Sequence, residues 1–280
     1  GSFKFRGACN AVMSLTDDEA RHGVVTHSSG NHAQALALAA KLRGIAAHVV
    51  MPHDSARTKV AAVEGYGGRV IFCEPTVAAR AAAAQEVLAQ TGGAFIPPYD
   101  HPKVIAGQGT IALELIDQVR KATRENLVAI IVPLGGGGLI SGITIAARAI
   151  HPGIRVIGAE PETVGDAAES KRLGVRQQAT GAITIADGLR TSLGDLTWPV
   201  VRDLVDSVVT VSEAEIKSAL RLVYERMKLV IEPSAAVGIA AALGPLRTRS
   251  DFGSAGVIFC GGNIDLDLLS QLISPTESIR

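Results

Sequence analysis

The chain has 280 residues, 47% hydrophobic and 19% charged, enough to bury a sizeable core and to build two α/β lobes. Lys+Arg 27 against Asp+Glu 27 leaves no net charge, and no basic run marks a nucleic-acid or membrane surface, so a small-molecule ligand is expected. Cys9, Cys73 and Cys260 lie far apart without a C-x-x-C pair, which argues against a disulfide framework or structural zinc and for a reducing, cytoplasmic compartment.

No secretory signal is expected, since the chain opens on Gly1-Ser2-Phe3-Lys4 without an apolar stretch of the kind such signals carry. The opening Ser2-Phe3-Lys4-Phe5-Arg6-Gly7 leads into apolar positions at helical spacing over 8–15, with Lys4 near the helix start. Lys4 is either a solvated surface charge or an amine held among Phe3, Phe5 and the core. Desolvation in the second case lowers its pKa and frees it as nucleophile and base, as carbonyl-condensation chemistry requires.

Gly23 to Thr26 predicts a strand that runs into His27-Ser28-Ser29-Gly30-Asn31-His32 and then an alanine- and leucine-rich helix ending near Gly44. Such a turn offers N–H groups and hydroxyls to a carboxylate, or it is an ordinary helix cap. Further strands are expected at 47–51, 69–73 and 94–96, with helices at about 55–66 and 76–90 between them. This βαβ alternation implies parallel strands with helical crossovers. The proline-rich segment 97–102 reads as irregular and serves as a lobe boundary. The division expected is 1–16 as the first part of a large lobe, 17–107 as a small lobe and 108–280 as the rest of the large lobe.

The run Leu127 to Leu134 reads as a buried strand, Gly135-Gly136-Gly137-Gly138 as a turn, and Leu139 to Ile150 as a helix. Residues without Cβ atoms let successive N–H groups converge, with a helix N-terminus behind them, on an anion such as a phosphate. A flexible turn is the plain alternative. The uncharged stretch 127–147 is long enough to span a bilayer, but glycine at its centre favours a buried strand and helix. A dinucleotide-binding dehydrogenase is a third reading, with a strand from Arg155 and Glu160 as the ribose acid. Its G-x-G-x-x-G register is broken by Ser141.

Glu160 and Asp166, with a backbone carbonyl between them, have the oxygen chemistry of a Mg²⁺ or Ca²⁺ site, although two acids in a surface loop are commonplace. Ser212-x-x-Glu215 is a capping box opening a helix that buries Ile216, Leu220, Val223 and Met227. Glu232-Pro233-Ser234 heads a last helix over 235–243, expected to pack on a final strand 256–259, after which comes the turn Cys260-Gly261-Gly262-Asn263. Parallel sheets gather such turns at strand C-termini.

Three of these motifs, Ser2 to Ala8, Ser28 to His32 and Gly135 to Leu139, strongly resemble the fold-type II pyridoxal-phosphate enzymes of the tryptophan synthase β-like fold, in particular the serine racemase and serine/threonine dehydratase family. The likeness covers nearly the whole chain, through 105–113, Thr184-Ile-Ala-Asp-Gly188, Thr197-Trp198-Pro199, Glu232-Pro-Ser234 and Cys260-Gly-Gly-Asn263. It implies an α/β fold of two lobes, each with a mostly parallel twisted sheet flanked by helices.

The same resemblance implies that Lys4 holds pyridoxal 5'-phosphate covalently while Phe3 packs on its ring. Gly135, Gly136, Gly137 and Gly138, with Leu139, bind the phosphate, and Asn31 the phenolic oxygen. Ser28, Ser29, Asn31 and His32 receive the substrate carboxylate. Gly188 and Glu232 line the ring, and Cys260 stands opposite the pyridine nitrogen, where many relatives have serine. A neutral partner there makes a weaker electron sink than a carboxylate does, which favours expelling a β-hydroxyl as the α-proton leaves. Lys4 is the base for that proton, and Ser29 is the second proton carrier that racemisation needs. Glu160, the carbonyl of Val164 and Asp166 correspond to a structural divalent-cation site for Mg²⁺, Ca²⁺ or Mn²⁺.

The expected substrate is a small hydroxy amino acid, L-serine or L-threonine, with dehydration to a 2-oxo acid and ammonia and serine racemisation. Dehydration of 3-hydroxyaspartate is the alternative within the family. A homodimer is implied. Relatives carry a segment before Ser2, and after Leu272 no room is expected for the regulatory domain of isoleucine-pathway dehydratases.

Overall fold

The computed structural model describes residues 1–28, 30–55, 57–248 and 253–274. Two compact units are present, Gly1–Thr110 and Ile111–Arg280.

The first unit holds a four-stranded parallel sheet of β1 (Val24–His27), β2 (Ala47–Pro52), β3 (Arg69–Cys73) and β4 (Ala94–Phe95), in the order β3-β2-β1-β4. Both inner strands are mostly buried, as a sheet covered by helices on both faces requires. The Lys4–Met13 helix packs on the Asn31–Arg43 helix through Ala8, Ala11, Val12, Ala35, Leu36 and Ala39. Small alanines let these helices approach closely, so the position of Lys4 is fixed by a helix–helix contact and not by a loop. Arg43 strengthens the same joint, because its guanidinium donates to the carbonyls of Val12 and Leu15 at the end of the first helix.

The second unit repeats the plan with β5 (Ala129–Pro133), β6 (Arg155–Pro161), β7 (Ser207–Val211) and β8 (Ala255–Val257), all parallel, in the order β7-β6-β5-β8. Strand β5 is buried at every position. The Gly138–Ile150 and Pro233–Leu243 helices pack on this sheet. The two parallel sheets flanked by helices match the expected fold class, and the stretch 127–147 is strand, turn and helix. Among the described residues no helix is long and apolar enough to cross a membrane.

Several local expectations are corrected. The proline-rich segment ends in a helix, Pro102–Thr123, because proline's missing N–H costs nothing at a helix start. The 233–243 helix is not the last, since Leu266–Ile273 follows it. The capping box at Ser212 and Glu215 forms, but the α-helix ends at Leu222 in a π turn, Val223–Met227, that leaves Met227 exposed. Glu160 and Asp166 are not in a surface loop. Glu160 lies in β6 and Asp166 begins a helix, Asp166–Leu173, and both are buried.

Candidate active site

In the first unit, Phe3 is the N-cap residue and Lys4 the first residue of the Lys4–Met13 helix, both half-buried. The Lys4 Nζ donates to the carbonyl oxygen of Pro98 at 2.7 Å. It also sits 5.1 Å from the centroid of the Phe3 ring and 5.9 Å from that of Tyr99, within the range of cation–π attraction. Phe5 packs into the core instead. Lys4 is therefore an amine held between aromatic faces and a carbonyl, not a charge free in solvent.

Ser28 follows β1; its N–H donates to the Val50 carbonyl at 3.1 Å and its Oγ accepts from the Gly30 N–H at 3.4 Å. Ser29 lies outside the described residues. Asn31 and His32 are the first two residues of the Asn31–Arg43 helix. The turn thus stands at a helix N-terminus, beyond the C-terminal end of a parallel strand, where anions are favoured. The His32 ring is buried, with Nε2 2.9 Å from the Ile96 carbonyl. Burial, then the charge of Lys4, pull its pKa down to about 3.

In the second unit Gly137 takes the left-handed conformation, φ 85°, as N-cap of the Gly138–Ile150 helix. A Cβ there would fall 2.7 Å from the Thr197 Cβ, and one on Gly135 would fall 2.9 Å from the Leu189 Cα. Glycine is thus required at 135 and 137 by packing against two neighbouring segments. Leu139 is buried in the helix behind the turn. Gly188 lies in a short 3₁₀ turn and its N–H donates to the Ser234 Oγ at 3.1 Å.

Strand β8, next to β5, runs on to the buried Cys260. Glu232 braces the turn that follows. Its N–H donates to the Gly261 carbonyl at 3.0 Å, and its buried carboxylate accepts the Asn263 N–H at 3.1 Å. A Cβ on Gly261 would meet that carboxylate at 2.6 Å. The glycine turn, the Cys260 turn and Gly188 therefore belong to one packed region of this unit.

The carboxylate of Glu160 accepts the backbone N–H groups of Ala168 at 2.5 Å and Ala167 at 3.3 Å. It caps the Asp166–Leu173 helix from a neighbouring strand. Burial, with the nearby Asp166 adding to it, raises its pKa to about 8. Burial raises Asp166 to about 6, and Asp166 Oδ2 is buried with no hydrogen-bond partner. Val164 is buried in the 3₁₀ turn between them. Among the described residues no cluster of three or more His, Cys, Asp or Glu side chains forms a metal centre.

This geometry weighs against the dinucleotide reading. The Glu160 carboxylate is committed to two backbone N–H groups in a buried position, and a ribose-binding acid has to be open to its ligand. Sequence reasoning missed Pro98, Ser234 and Gln108 as individual supports. The buried Gln108 accepts the Gly7 N–H at 3.2 Å and so ties the Lys4 helix to the Pro102–Thr123 helix. A buried glutamine in an otherwise apolar helical stretch was the available signal. A backbone carbonyl such as that of Pro98 leaves none.

Parallel sheets, a lysine amine held by aromatic rings, and a glycine turn at a helix N-terminus are the parts of an α/β enzyme that handles a phosphate-bearing ligand. A family model described as pyridoxal-phosphate dependent enzyme matches residues 1–261, and the chain belongs to that family. It is 52% identical over 273 residues to a serine racemase of Arabidopsis thaliana, covering 96% of this chain and 81% of the relative. The L-threo-3-hydroxyaspartate ammonia-lyase of Saccharomyces cerevisiae is 46% identical over 279 residues, covering 99% and 83%. The structure of maize serine racemase superposes with a TM-score of 0.93 at 47% identity, over 97% of this chain and 82% of that one.

Proposed function

We propose that the chain dehydrates L-serine or L-threonine to the 2-oxo acid and ammonia, and that it also racemises serine. The observation that carries this reading is the half-buried Lys4 amine, held by the Pro98 carbonyl and flanked by Phe3 and Tyr99. Each unit by itself offers chemistry that pyridoxal phosphate needs: the first an amine for its aldehyde carbon, the second a helix N-terminus behind a glycine turn for its phosphate. The cofactor would supply an electron sink for the substrate α-carbon.

The rest of the work falls to the chain. Lys4 would anchor the cofactor and, as the free amine, take the α-proton on its Nζ. Gly135 to Gly138 and Leu139 would hold the cofactor's phosphate, Phe3 would pack on its ring and Asn31 would meet its phenolic oxygen, as the family resemblance implies. The N–H groups and hydroxyls of the Ser28 to His32 turn orient the substrate carboxylate. Gly188 and Glu232 shape the ring pocket, and the Cys260 thiol is a neutral partner for the ring nitrogen. Loss of the β-hydroxyl as water, carrying off the proton that Lys4 has taken, would then compete with return of a proton to the opposite face, a role assigned to Ser29.

The two buried acids fit a divalent cation, because Asp166 Oδ2 has no partner and both carboxyls resist ionising without a counter-charge. Glu160, the Val164 carbonyl and Asp166 would hold Mg²⁺, Ca²⁺ or Mn²⁺ as a structural ion. A cytoplasmic homodimer completes the reading: the family resemblance supports the dimer, and three cysteines far apart without a C-x-x-C pair support a reducing compartment. The yeast relative supports a second reading, dehydration of 3-hydroxyaspartate.

The test is to incubate the holoenzyme with L-serine, L-threonine and 3-hydroxyaspartate and to measure 2-oxo acid and D-serine. Release of pyruvate and D-serine from L-serine is expected. Ser29→Ala should lose racemisation and keep elimination. Turnover of 3-hydroxyaspartate alone would replace the first reading by the second.

A further inference from the structure

Strand β4 pairs with β1, and the chain continues from it through Ile96-Pro97-Pro98-Tyr99. Two side chains from different helices grip the carbonyls of this strap. His32 Nε2 lies 2.9 Å from the Ile96 oxygen, and Lys4 Nζ lies 2.7 Å from the Pro98 oxygen. The Ile96 N–H is itself tied to the Val25 carbonyl at 2.9 Å. Between the two gripped carbonyls stand two prolines, whose rings fix φ and remove the main source of slack. A displacement at Ile96 is therefore passed on to Pro98 and not absorbed.

The bond to Ile96 also fixes the state of the imidazole. A carbonyl accepts, so Nε2 carries the proton, and Nδ1 is left as a buried acceptor with no partner. His32 is 2% exposed. Burying an imidazole with one nitrogen unpaired costs stability that a leucine of similar bulk would not. The ring is thus placed at a cost for the one bond it makes, and it is too enclosed to serve as a ligand for substrate.

We infer that His32 is a positioning residue for Lys4: its Nε2–H fixes the Ile96 carbonyl, and the Pro97-Pro98 pair carries that placement to the carbonyl that receives the Lys4 amine. In the proton transfer, the substrate α-C–H bond breaks and its electrons stay with the substrate. The proton joins the Nζ lone pair, and the resulting ammonium donates to the Pro98 oxygen. The inference rests on the reading of Lys4 as the cofactor lysine. It separates the His32 backbone, which belongs to the carboxylate turn, from the His32 ring, which serves the base.

The experiment compares the holoenzyme with His32→Leu, which removes the donor, His32→Gln, which restores an N–H, and Pro97→Ala, which loosens the strap without touching His32. Cofactor occupancy from the visible band, kcat, KM and the isotope effect on kcat with α-deuterated L-serine are measured. His32→Leu should keep the band and lose about tenfold to a hundredfold in kcat. Its KM should stay within about twofold, and its isotope effect should rise because proton transfer becomes limiting. His32→Gln should recover most of the rate, and Pro97→Ala should show a milder form of the same pattern. Should His32→Leu fail to fold, the last two variants decide. A rise in KM with kcat intact would make the ring a substrate ligand and overturn the inference, as would unchanged kinetics in all three variants. A wild-type protein that turns over substrate with its cofactor bonded elsewhere would remove the reading of Lys4 first, and the inference with it.

Discussion

Thr197 Oγ1 donates to the carbonyl of Gly136 at 2.9 Å and accepts the Gly194 N–H at 2.8 Å, so one buried hydroxyl ties the glycine turn to the Thr197–Leu204 helix. Thr197→Val keeps the shape and removes both bonds, leaving a buried carbonyl unpaired. A loss of about 1–3 kcal/mol is expected in urea unfolding. Weaker binding of pyridoxal phosphate should accompany it in a fluorescence titration, and unchanged affinity would show that the turn does not need this strut.

Gly137→Ala should be worse than an ordinary glycine replacement. At Gly44, also left-handed with φ 76°, nothing lies within 4 Å of an added Cβ, whereas at Gly137 the Thr197 Cβ is 2.7 Å away. Gly44→Ala is expected to cost only the left-handed strain, about 1 kcal/mol. Gly137→Ala should cost more and abolish the visible band of the bound cofactor. Equal melting temperatures for the two variants would contradict this.

The acids Glu160 and Asp166 are expected to bind a divalent cation. Adding Mg²⁺, Ca²⁺ or Mn²⁺ should raise the melting temperature, by about 2.7 kcal/mol of stability at a hundredfold excess over Kd. Asp166→Asn should lose that response and be no less stable in chelator, because the carboxylate it replaces is buried with an oxygen unpartnered. A variant that still responds to the cation would move the site elsewhere.

His32 should make folding sensitive to acid. Its pKa falls from 6.5 to about 3, by burial first and the Lys4 charge second. Between those values the unfolded chain binds a proton that the folded chain refuses, so stability drops as pH falls from 6.5 toward 3 and is unaffected above. The slope from this one group is at most about 1.4 kcal/mol per pH unit. Urea midpoints for wild type and His32→Gln should diverge below pH 6.5, with the variant the flatter. Parallel curves would place the acid sensitivity in other groups.

Much of this was legible in the sequence, for physical reasons that differ by element. Strand β5 and the glycine turn announce themselves, because a buried parallel strand has to be apolar throughout and a turn packed that tightly excludes Cβ atoms. Strand β7 escaped notice: it is short and mostly half-buried, which blurs its pattern. The Pro102–Thr123 helix was masked by its own first proline and by glycines that tertiary contacts require, such as Gly107, where a Cβ would meet the Arg6 carbonyl at 2.6 Å. The acid pair was visible as two carboxylates but not as buried ones, because the strand and helix that enclose them follow from packing. The Pro98 acceptor had no signature, since every residue has a carbonyl.

The most direct test of the central claim is to saturate the protein with pyridoxal phosphate, reduce it with borohydride and locate the modified residue by peptide mass spectrometry. The account predicts one labelled lysine, Lys4, and no label in Lys4→Ala. Label on another lysine, or none with the native protein, would contradict it.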